Sequence, residues 1–366
     1  MTRPCIMIMA GGTGGHVFPA LSLAGVLRAR DIDVVWLGTR AGIEARLVPA
    51  AGIPVEWLEI GGLRGKGLAT LFAAPLRLLR ALLQAIAAVR RHQPRAVVGL
   101  GGYVTGPGGL AAWLTRRPLI IHEQNAVAGF TNRVLARFAA RVFEAFEGSF
   151  GTRRGVVTVG NPVRSEFFAL PAPAVRQAGR TGALRVLVVG GSQGAQRLNE
   201  RVPQAIAALA GRLPLRIRHQ SGARMLEATR AAYAGCGCEV EVSAFIDDIA
   251  AAYAEADLVI CRAGALTVSE LAAAGVAAIL VPLPSAVDDH QTRNARFLVE
   301  RGAAVLMPER ELTAERLAAQ LQSLAADRSV LLRMAENARG LSRPHAATLL
   351  AAACLEAAGL SRGGVA

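Results

Sequence analysis

Apolar and polar positions along this chain follow a repeating two-part pattern. Short apolar runs of strand length, such as Cys5-Ile6-Met7-Ile8-Met9 and Leu184-Arg185-Val186-Leu187-Val188-Val189, end in glycine-rich turns that feed stretches with helical spacing. Strand-like runs at 5–9, 33–37, 54–58, 96–99, 118–122, 141–144 and 156–159 alternate with helical stretches near 18–30, 43–50, 69–91, 107–114 and 127–138. The alternation restarts with strands near 184–190, 215–219, 239–243, 257–260, 277–281 and 303–306. Such an order predicts an α/β protein built from two doubly wound parallel-sheet, Rossmann-like domains facing across a cleft. Ligand loops then lie at the C-terminal ends of the strands. Gly160-Asn161-Pro162-Val163-Arg164 and the Pro-, Ala- and Gly-rich stretch 171–182 put the boundary and a hinge near Pro162. The domains are therefore expected at 1–162 and 163–342, with a last helical segment, about 343–366, as a candidate to cross back onto the first.

Composition narrows the class. With 366 residues, 52% of them apolar, the chain can bury two ordinary cores. No apolar run reaches membrane-spanning length, and Met1-Thr2-Arg3-Pro4 passes into a strand without a secretory signal, so a cytoplasmic protein is expected. Five cysteines with no C-x-x-C spacing indicate neither a disulfide framework nor a zinc site. Cys236-Gly237-Cys238 is too isolated to serve as a metal pair.

The net charge of +14 raises nucleic acid and anionic membrane as partners, and its distribution separates them. Residues 1–160 carry 19 Arg and Lys against 8 Asp and Glu, and the segment from Ile60 to His122 holds nine basic residues and no acid. Within it Leu68, Leu71, Phe72, Leu76, Leu79, Leu82, Leu83 and Ile86 recur at helical spacing among Arg77, Arg80, Arg90 and Arg91. Aromatic residues are few and no nucleic-acid-binding motif is present, so nucleic acid is not expected. Two readings stay open: a basic apolar helix lying on a membrane surface, or an ordinary helix packed on the sheet with a solvated arginine face. Lys66 is the only lysine, which points to a composition bias in favour of arginine and not to selected phosphate forks.

Three polar, glycine-rich segments mark the first half. Gly11-Gly12-Thr13-Gly14-Gly15-His16 fails as a dinucleotide fingerprint, because Val17 takes the third glycine position and no acid ends the second strand. A triphosphate loop ending in Gly-Lys-Ser/Thr is missing as well, so no cofactor is indicated. His16 is expected at a helix N-terminus, whose positive end favours a neutral ring able to accept a proton. Gly101-Gly102-Tyr103-Val104-Thr105-Gly106-Pro107-Gly108-Gly109 forms a second backbone cradle, and His122-Glu123-Gln124-Asn125 places four polar side chains at a strand end. Glu123 is a second candidate base, and Asn125 a hydroxyl ligand.

In the second half, Gly190-Gly191-Ser192-Gln193-Gly194 formally matches a hydrolase nucleophile elbow, with Asp247 or Asp257 and His290 following in that order. A serine hydrolase using Ser192 is therefore the rival reading, and a non-catalytic nucleotide-sugar binder at a membrane surface is the third. Arg262-Ala263-Gly264-Ala265-Leu266-Thr267-Val268-Ser269-Glu270 opens a helix whose first amides and Thr267 hydroxyl suit a diphosphate, while Glu270 suits vicinal ribose hydroxyls. Gln291 follows Asp288-Asp289-His290 at a position to hydrogen-bond a sugar. The only D-x-D, Asp31-Ile32-Asp33, lies at the wrong end of a strand, so no metal site is expected.

Taken together, GGTGGH at 11–16, GGYVTGPGG at 101–109, HEQN at 122–125, NPVR at 161–164, GGSQGA at 190–195, GALTVSE at 264–270 and DDHQTRNA at 288–295 resemble one family. It is glycosyltransferase family 28, the inverting GT-B enzymes of peptidoglycan synthesis that convert lipid I to lipid II. The resemblance implies transfer of N-acetylglucosamine from its UDP-sugar to the C4 hydroxyl of undecaprenyl-diphospho-N-acetylmuramoyl-pentapeptide, by a peripheral protein on the cytoplasmic face of the cell membrane. It implies that Ser192 and Thr267 contact the diphosphate, that Ala265, Leu266, Val268 and Ser269 belong to the substrate-binding site, that Ile246 reads uracil through its backbone, and that Glu270 holds the ribose. Arg164, Asn125 and Gln291 would complete the donor site. Thr13, Gly14 and Gly15 would form the opposing wall, and Gly102, Tyr103 and Thr105 the acceptor loop. His16 is the first choice for the base and Glu123 the second.

Overall fold

The computed structural model describes residues 3–61, 68–191 and 194–360, at 68–73 and 287 by backbone alone. The chain divides into two compact units, Met1–Arg164 with Arg343–Ala366, and Ser165–Ser342.

In the first unit β1 (Cys5–Met9), β2 (Asp33–Gly38), β3 (Val55–Trp57), β4 (Ala96–Gly99), β5 (Leu119–Glu123), β6 (Arg141–Glu144) and β7 (Val156–Thr158) form a parallel sheet ordered β3-β2-β1-β4-β5-β6-β7. Both faces are covered, which is why the central strands read as unbroken apolar runs. Ile6, Ile8 and Val98 enter one core, whereas Met7, Met9, Val97 and Ile121 enter the other. Register Ile6↔Ala96 and Ile8↔Val98 keeps these sets apart, and a one-residue slip would exchange the two faces. The first core is closed by two helices, Gly14–Arg28 and Ala346–Ala357, through Val17, Ala20, Leu23, Leu350, Ala351 and Cys354. Gly160 makes this return possible: its φ is +87°, and a Cβ there would overlap the Arg343 side chain.

Two element boundaries differ from the sequence pattern. The first helix begins at Gly14 and not near residue 18, because the turn after β1 is only four residues long and its glycines are taken into the helix. β5 runs on to Glu123, so His122 and Glu123 are buried strand residues and not part of a loop.

The helix Leu68–His92 buries Ala81, Ala85, Ala88 and Val89, the small residues that let it approach the sheet closely. Leu82 and Ile86 also pack partly against the core, whereas Leu76 is 72% exposed, Leu83 58%, and Leu78 and Leu79 are in solvent. Trp113 and Leu114, at the end of the neighbouring helix Thr105–Leu114, are exposed too. Among the described residues no helix is long and apolar enough to cross a membrane.

The second unit repeats the plan with β8 (Leu184–Val189), β9 (Leu215–Gln220), β10 (Glu239–Ser243), β11 (Leu258–Cys261), β12 (Ala277–Leu280) and β13 (Ala304–Leu306), ordered β10-β9-β8-β11-β12-β13. In each sheet the order reverses beside the first strand, between β1 and β4 and again between β8 and β11. These are the switch points at which loops part and leave a crevice for ligand.

Candidate active site

At the first switch point the turn after β1 meets the turn after β4. Leu100 donates its N–H to the Met9 carbonyl at 2.9 Å. Gly102, at φ +90°, lies so close to Gly11 that a Cβ would overlap the Gly11 backbone. His16 stands in the first turn of the helix Gly14–Arg28, and its ring packs over Gly101, where a Cβ would sit 2.6 Å from Nδ1. Thr13 is the N-cap of this helix and Gly14 and Gly15 are its first residues, whose amides have no acceptor within the helix.

A carboxylate that the sequence reading overlooked shapes this loop. Glu44 is fully buried; its Oε1 accepts from the Thr39 N–H (3.0 Å) and hydroxyl (2.7 Å), and its Oε2 accepts from the Gly12 N–H (2.9 Å). A Cβ on Gly11 would lie 2.7 Å from Oε1, so the paired glycines serve the fit to Glu44 as well as the approach of a ligand. The available signal was an acid in the first turn of Glu44–Ala50, directly after the Gly38-Thr39 strand end.

The end of β5 supplies a second polar group. Glu123 is 2% exposed, and its carboxylate is fully engaged. Its Oε1 accepts from the Asn125 N–H and side-chain amide, and its Oε2 from the Gly129 N–H and Asn132 amide, at 2.8–3.2 Å. This corrects its candidacy as a base: a carboxylate turned inward onto four donors folds the 125–129 loop and offers no oxygen to a substrate. The Thr105 side chain is fully buried, packed so that a Cβ on Gly99 would meet its methyl group at 2.7 Å. Tyr103 remains 58% exposed and accessible. Asn125 is held by Glu123 and by Ser149, whose hydroxyl donates to the Asn125 carbonyl at 2.8 Å. Arg164 lies over the Phe18 ring at 5.4 Å.

His16 is connected to the interior. Its Nδ1 is 3.0 Å from Gln124 Oε1, Gln124 Nε2 is 3.0 Å from His122 Nδ1, and His122 Nε2 is 2.9 Å from the Gly160 carbonyl. Burial pushes His122 down to about 4, so the ring is neutral at working pH.

At the second switch point Gly264 precedes the helix Ala265–Ala274, whose first-turn amides belong to Ala265, Leu266 and Thr267. Val268 is fully buried and Ala265 and Leu266 nearly so, which confines these three to backbone contacts with a ligand. Ser269 donates its hydroxyl to the Ala265 carbonyl at 2.9 Å. Asn294 braces the loop by donating to the Ala263 carbonyl at 3.2 Å. Glu270 stands one turn into the helix at 9% exposure, near enough that its charge adds to burial in pushing the Cys261 thiol up to about 12. Ile246 is buried just after β10. Gln291 Oε1 accepts from the Leu283 N–H at 2.9 Å, so the amide NH2 is the part left to donate. Ser192, expected at the diphosphate, lies outside the described residues, as do Arg64 and Lys66 of the basic segment.

Of the hydrolase residues, Asp257 lies away from the glycine turn that would carry the nucleophile: it sits at the N-terminal start of β11, at the opposite end of the sheet from the Gly190 turn. It is bound there by Arg180 (2.8 Å), Arg328 (3.0 Å) and the Arg185 N–H (3.0 Å). Among the described residues no group of three or more His, Cys, Asp or Glu side chains is placed to hold a metal ion.

Comparison with known proteins identifies the family. The chain matches the glycosyltransferase family 28 N-terminal domain over residues 6–144 and the family's C-terminal domain over 185–350. A UDP-N-acetylglucosamine–N-acetylmuramyl-(pentapeptide) pyrophosphoryl-undecaprenol N-acetylglucosamine transferase of Alkalilimnicola ehrlichii is 60% identical over 358 residues, covering 98% of this chain and 100% of its own. The protein of the same name from Nitrosococcus oceani is 56% identical, over 96% of this chain and 98% of its own. The crystal structure of Acinetobacter baumannii MurG superposes with a TM-score of 0.84 at 44% identity, over 97% of this chain and 100% of that one. A calicheamicin glycosyltransferase shares the fold at 18% identity, with a TM-score of 0.69. Matched through both units and almost end to end, the chain belongs to glycosyltransferase family 28.

Proposed function

We propose that this chain transfers N-acetylglucosamine from UDP-N-acetylglucosamine, with inversion, to the C4 hydroxyl of undecaprenyl-diphospho-N-acetylmuramoyl-pentapeptide (lipid I), giving lipid II for peptidoglycan synthesis. The observation that carries the substrates is the 60% identity with a transferase of that name over nearly the whole of both chains. The geometry of the two switch points supports the chemistry.

In the second unit, the amides opening the helix Ala265–Ala274 and the Thr267 hydroxyl receive the diphosphate, with Ser192 assigned there by the family motif. The Glu270 carboxylate accepts from both ribose hydroxyls, and the backbone at Ile246 reads the uracil. Gln291 donates its NH2 to the sugar because its oxygen is already taken. Arg164 and Asn125 complete the donor set. In the first unit, Thr13, Gly14, Gly15, Gly102 and Tyr103 receive the acceptor, and His16 removes its proton. The reaction is one in-line displacement: O4 attacks the anomeric carbon, the bond from that carbon to the diphosphate oxygen breaks, and the O4 proton passes to His16. Charge developing on UDP is met by the helix N-terminus and its amides.

The outward-facing Leu76, Leu78, Leu79 and Leu83, beside Arg77 and Arg80, fit a peripheral protein on the anionic cytoplasmic face of the cell membrane. Incubation of the purified protein with UDP-N-acetylglucosamine and a short-chain lipid I tests the reading, with released UDP and a disaccharide product as the expected result. Binding of the UDP-sugar without UDP release in the presence of acceptor would leave a non-catalytic binder instead.

A further inference from the structure

The hydrogen bonds running inward from His16 have a direction that can be worked out atom by atom. The Gly160 carbonyl has no proton to give, so His122 Nε2, at 2.9 Å, carries the hydrogen. His122 is fully buried and neutral, which leaves its Nδ1 a bare acceptor. Gln124 must meet that acceptor with its NH2, at 3.0 Å, and the same NH2 reaches the His122 carbonyl at 3.2 Å. A flipped amide would set its oxygen against two acceptors, and burial of Gln124 at 1% exposure leaves no water to relieve this. The Gln124 oxygen therefore faces His16 as an acceptor, and His16 Nδ1, at 3.0 Å, is the donor.

We infer that Gln124, oriented by His122 and the Gly160 carbonyl, is a positioning residue that holds His16 as the Nδ1–H tautomer and presents its bare Nε2 to the acceptor hydroxyl. The inference rests on the reading of His16 as the base. Its physical content is that the nitrogen taking the proton is selected from the protein interior before substrate arrives. The Nδ1–H bond to Gln124 is also the same before and after Nε2 is protonated, so the ring need not turn during the reaction. Gly101 completes the seat, since any side chain there would displace the ring. Asn161 fixes the other end by donating its amide to the Gln124 backbone carbonyl at 3.1 Å.

The test is made on the full chain, labelled with 15N-histidine, by two-bond 15N–1H correlation. The chain has six histidines, and His16 is assigned by its disappearance in His16→Ala. Wild type should report Nδ1–H at His16 and Nε2–H at His122. Gln124→Met, which removes all three side-chain hydrogen bonds at similar volume, should release His16 to mixed tautomers. It should also lower kcat at least about tenfold with KM for UDP-N-acetylglucosamine unchanged. Gln124→Glu, as the buried carboxylic acid, keeps an oxygen facing His16 while its O–H replaces the NH2 toward His122 Nδ1, and should keep the Nδ1–H signal and most of kcat. An Nε2–H signal at His16 in wild type, or equal loss of kcat in Gln124→Met and Gln124→Glu, overturns the inference. If His16→Ala is slow while Gln124→Met turns over at the wild-type rate, the inference fails alone. If both turn over at the wild-type rate, the base assignment has failed and the inference with it.

Discussion

Glu123→Gln separates the two carboxylate roles that the motif HEQN leaves open. In the folded chain each Glu123 oxygen accepts one backbone N–H, from Asn125 or Gly129, and one asparagine amide, from Asn125 or Asn132. A glutamine must place its NH2 against one of these pairs. The asparagine can flip to accommodate it; the backbone N–H cannot. Between one and two charge-assisted bonds are lost, worth about 2–6 kcal/mol. For a unit of this size that corresponds to a fall of about 5–20 °C in its unfolding midpoint. Activity measured well below that midpoint should drop less than about tenfold, mainly through a higher KM for donor as the Asn125 loop loosens, and the acid limb of the pH–rate profile should persist. His16→Ala should behave in the opposite way. Its midpoint should stay within about 2 °C, because the ring is only half-buried and capping effects are small. Its kcat should fall about 10²–10⁴-fold, roughly 3–5 kcal/mol, with loss of the acid limb. Calorimetry and pH–rate profiles on the two variants decide the matter. A Glu123→Gln protein that melts like wild type yet loses a hundredfold in kcat together with the acid limb would refute the structural assignment.

Glu270→Ala should weaken donor binding chiefly through the ribose, so that calorimetric titration finds the variant indifferent to a 2′-deoxyribose donor; undiminished discrimination would remove Glu270 from the ribose. His122 and His219 are both pushed down to about 4 by burial, below the ~6.5 of an unfolded histidine. The unfolded chain therefore binds more protons between those values, and each buried ring should cost about 2–3 kcal/mol of stability as pH falls from 7 to 4.5. Urea titrations of wild type and His219→Gln should accordingly converge as pH falls, and a pH-independent gap would contradict this. Leu350→Ala, in the core shared with the first helix, should destabilise the first unit by about 2–5 kcal/mol in denaturant titration, and a change below 1 would place the last helix outside that core. Arg77→Glu with Leu83→Ser should weaken binding to anionic vesicles by about 1 kcal/mol or more, leaving turnover of a soluble short-chain acceptor unchanged. Unaltered vesicle binding would return this helix to a solvated face.

The strands of both sheets and the glycine turns after β1, β4 and β8 were legible because a parallel strand buried on both faces must be apolar throughout and must end where the chain turns into a helix. Periodicity therefore located the turns at the C-terminal ends of these strands, and the motifs within them pointed to the family. The resolution stopped at the residue. Glu123, Glu44 and Glu270 are each an acid near a strand end or a helix start, and nothing local separates them. What separates them is which donors arrive: Gly12 reaches Glu44 from 32 residues away, and Asn132 reaches Glu123 from nine. Likewise the leucines at 76, 79 and 83 have the spacing of a core-facing stripe, yet Ala81, Ala85 and Ala88 won the buried side because small residues permit closer approach to the sheet. Sequence alone determined the α/β alternation, the position of the glycine loops and the identity of the groups that could react, since these follow from local periodicity and residue type. Only the tertiary structure decided which carboxylates face inward, which nitrogen of His16 is bare and which face of the long helix meets solvent, because each depends on partners brought together from distant points of the chain.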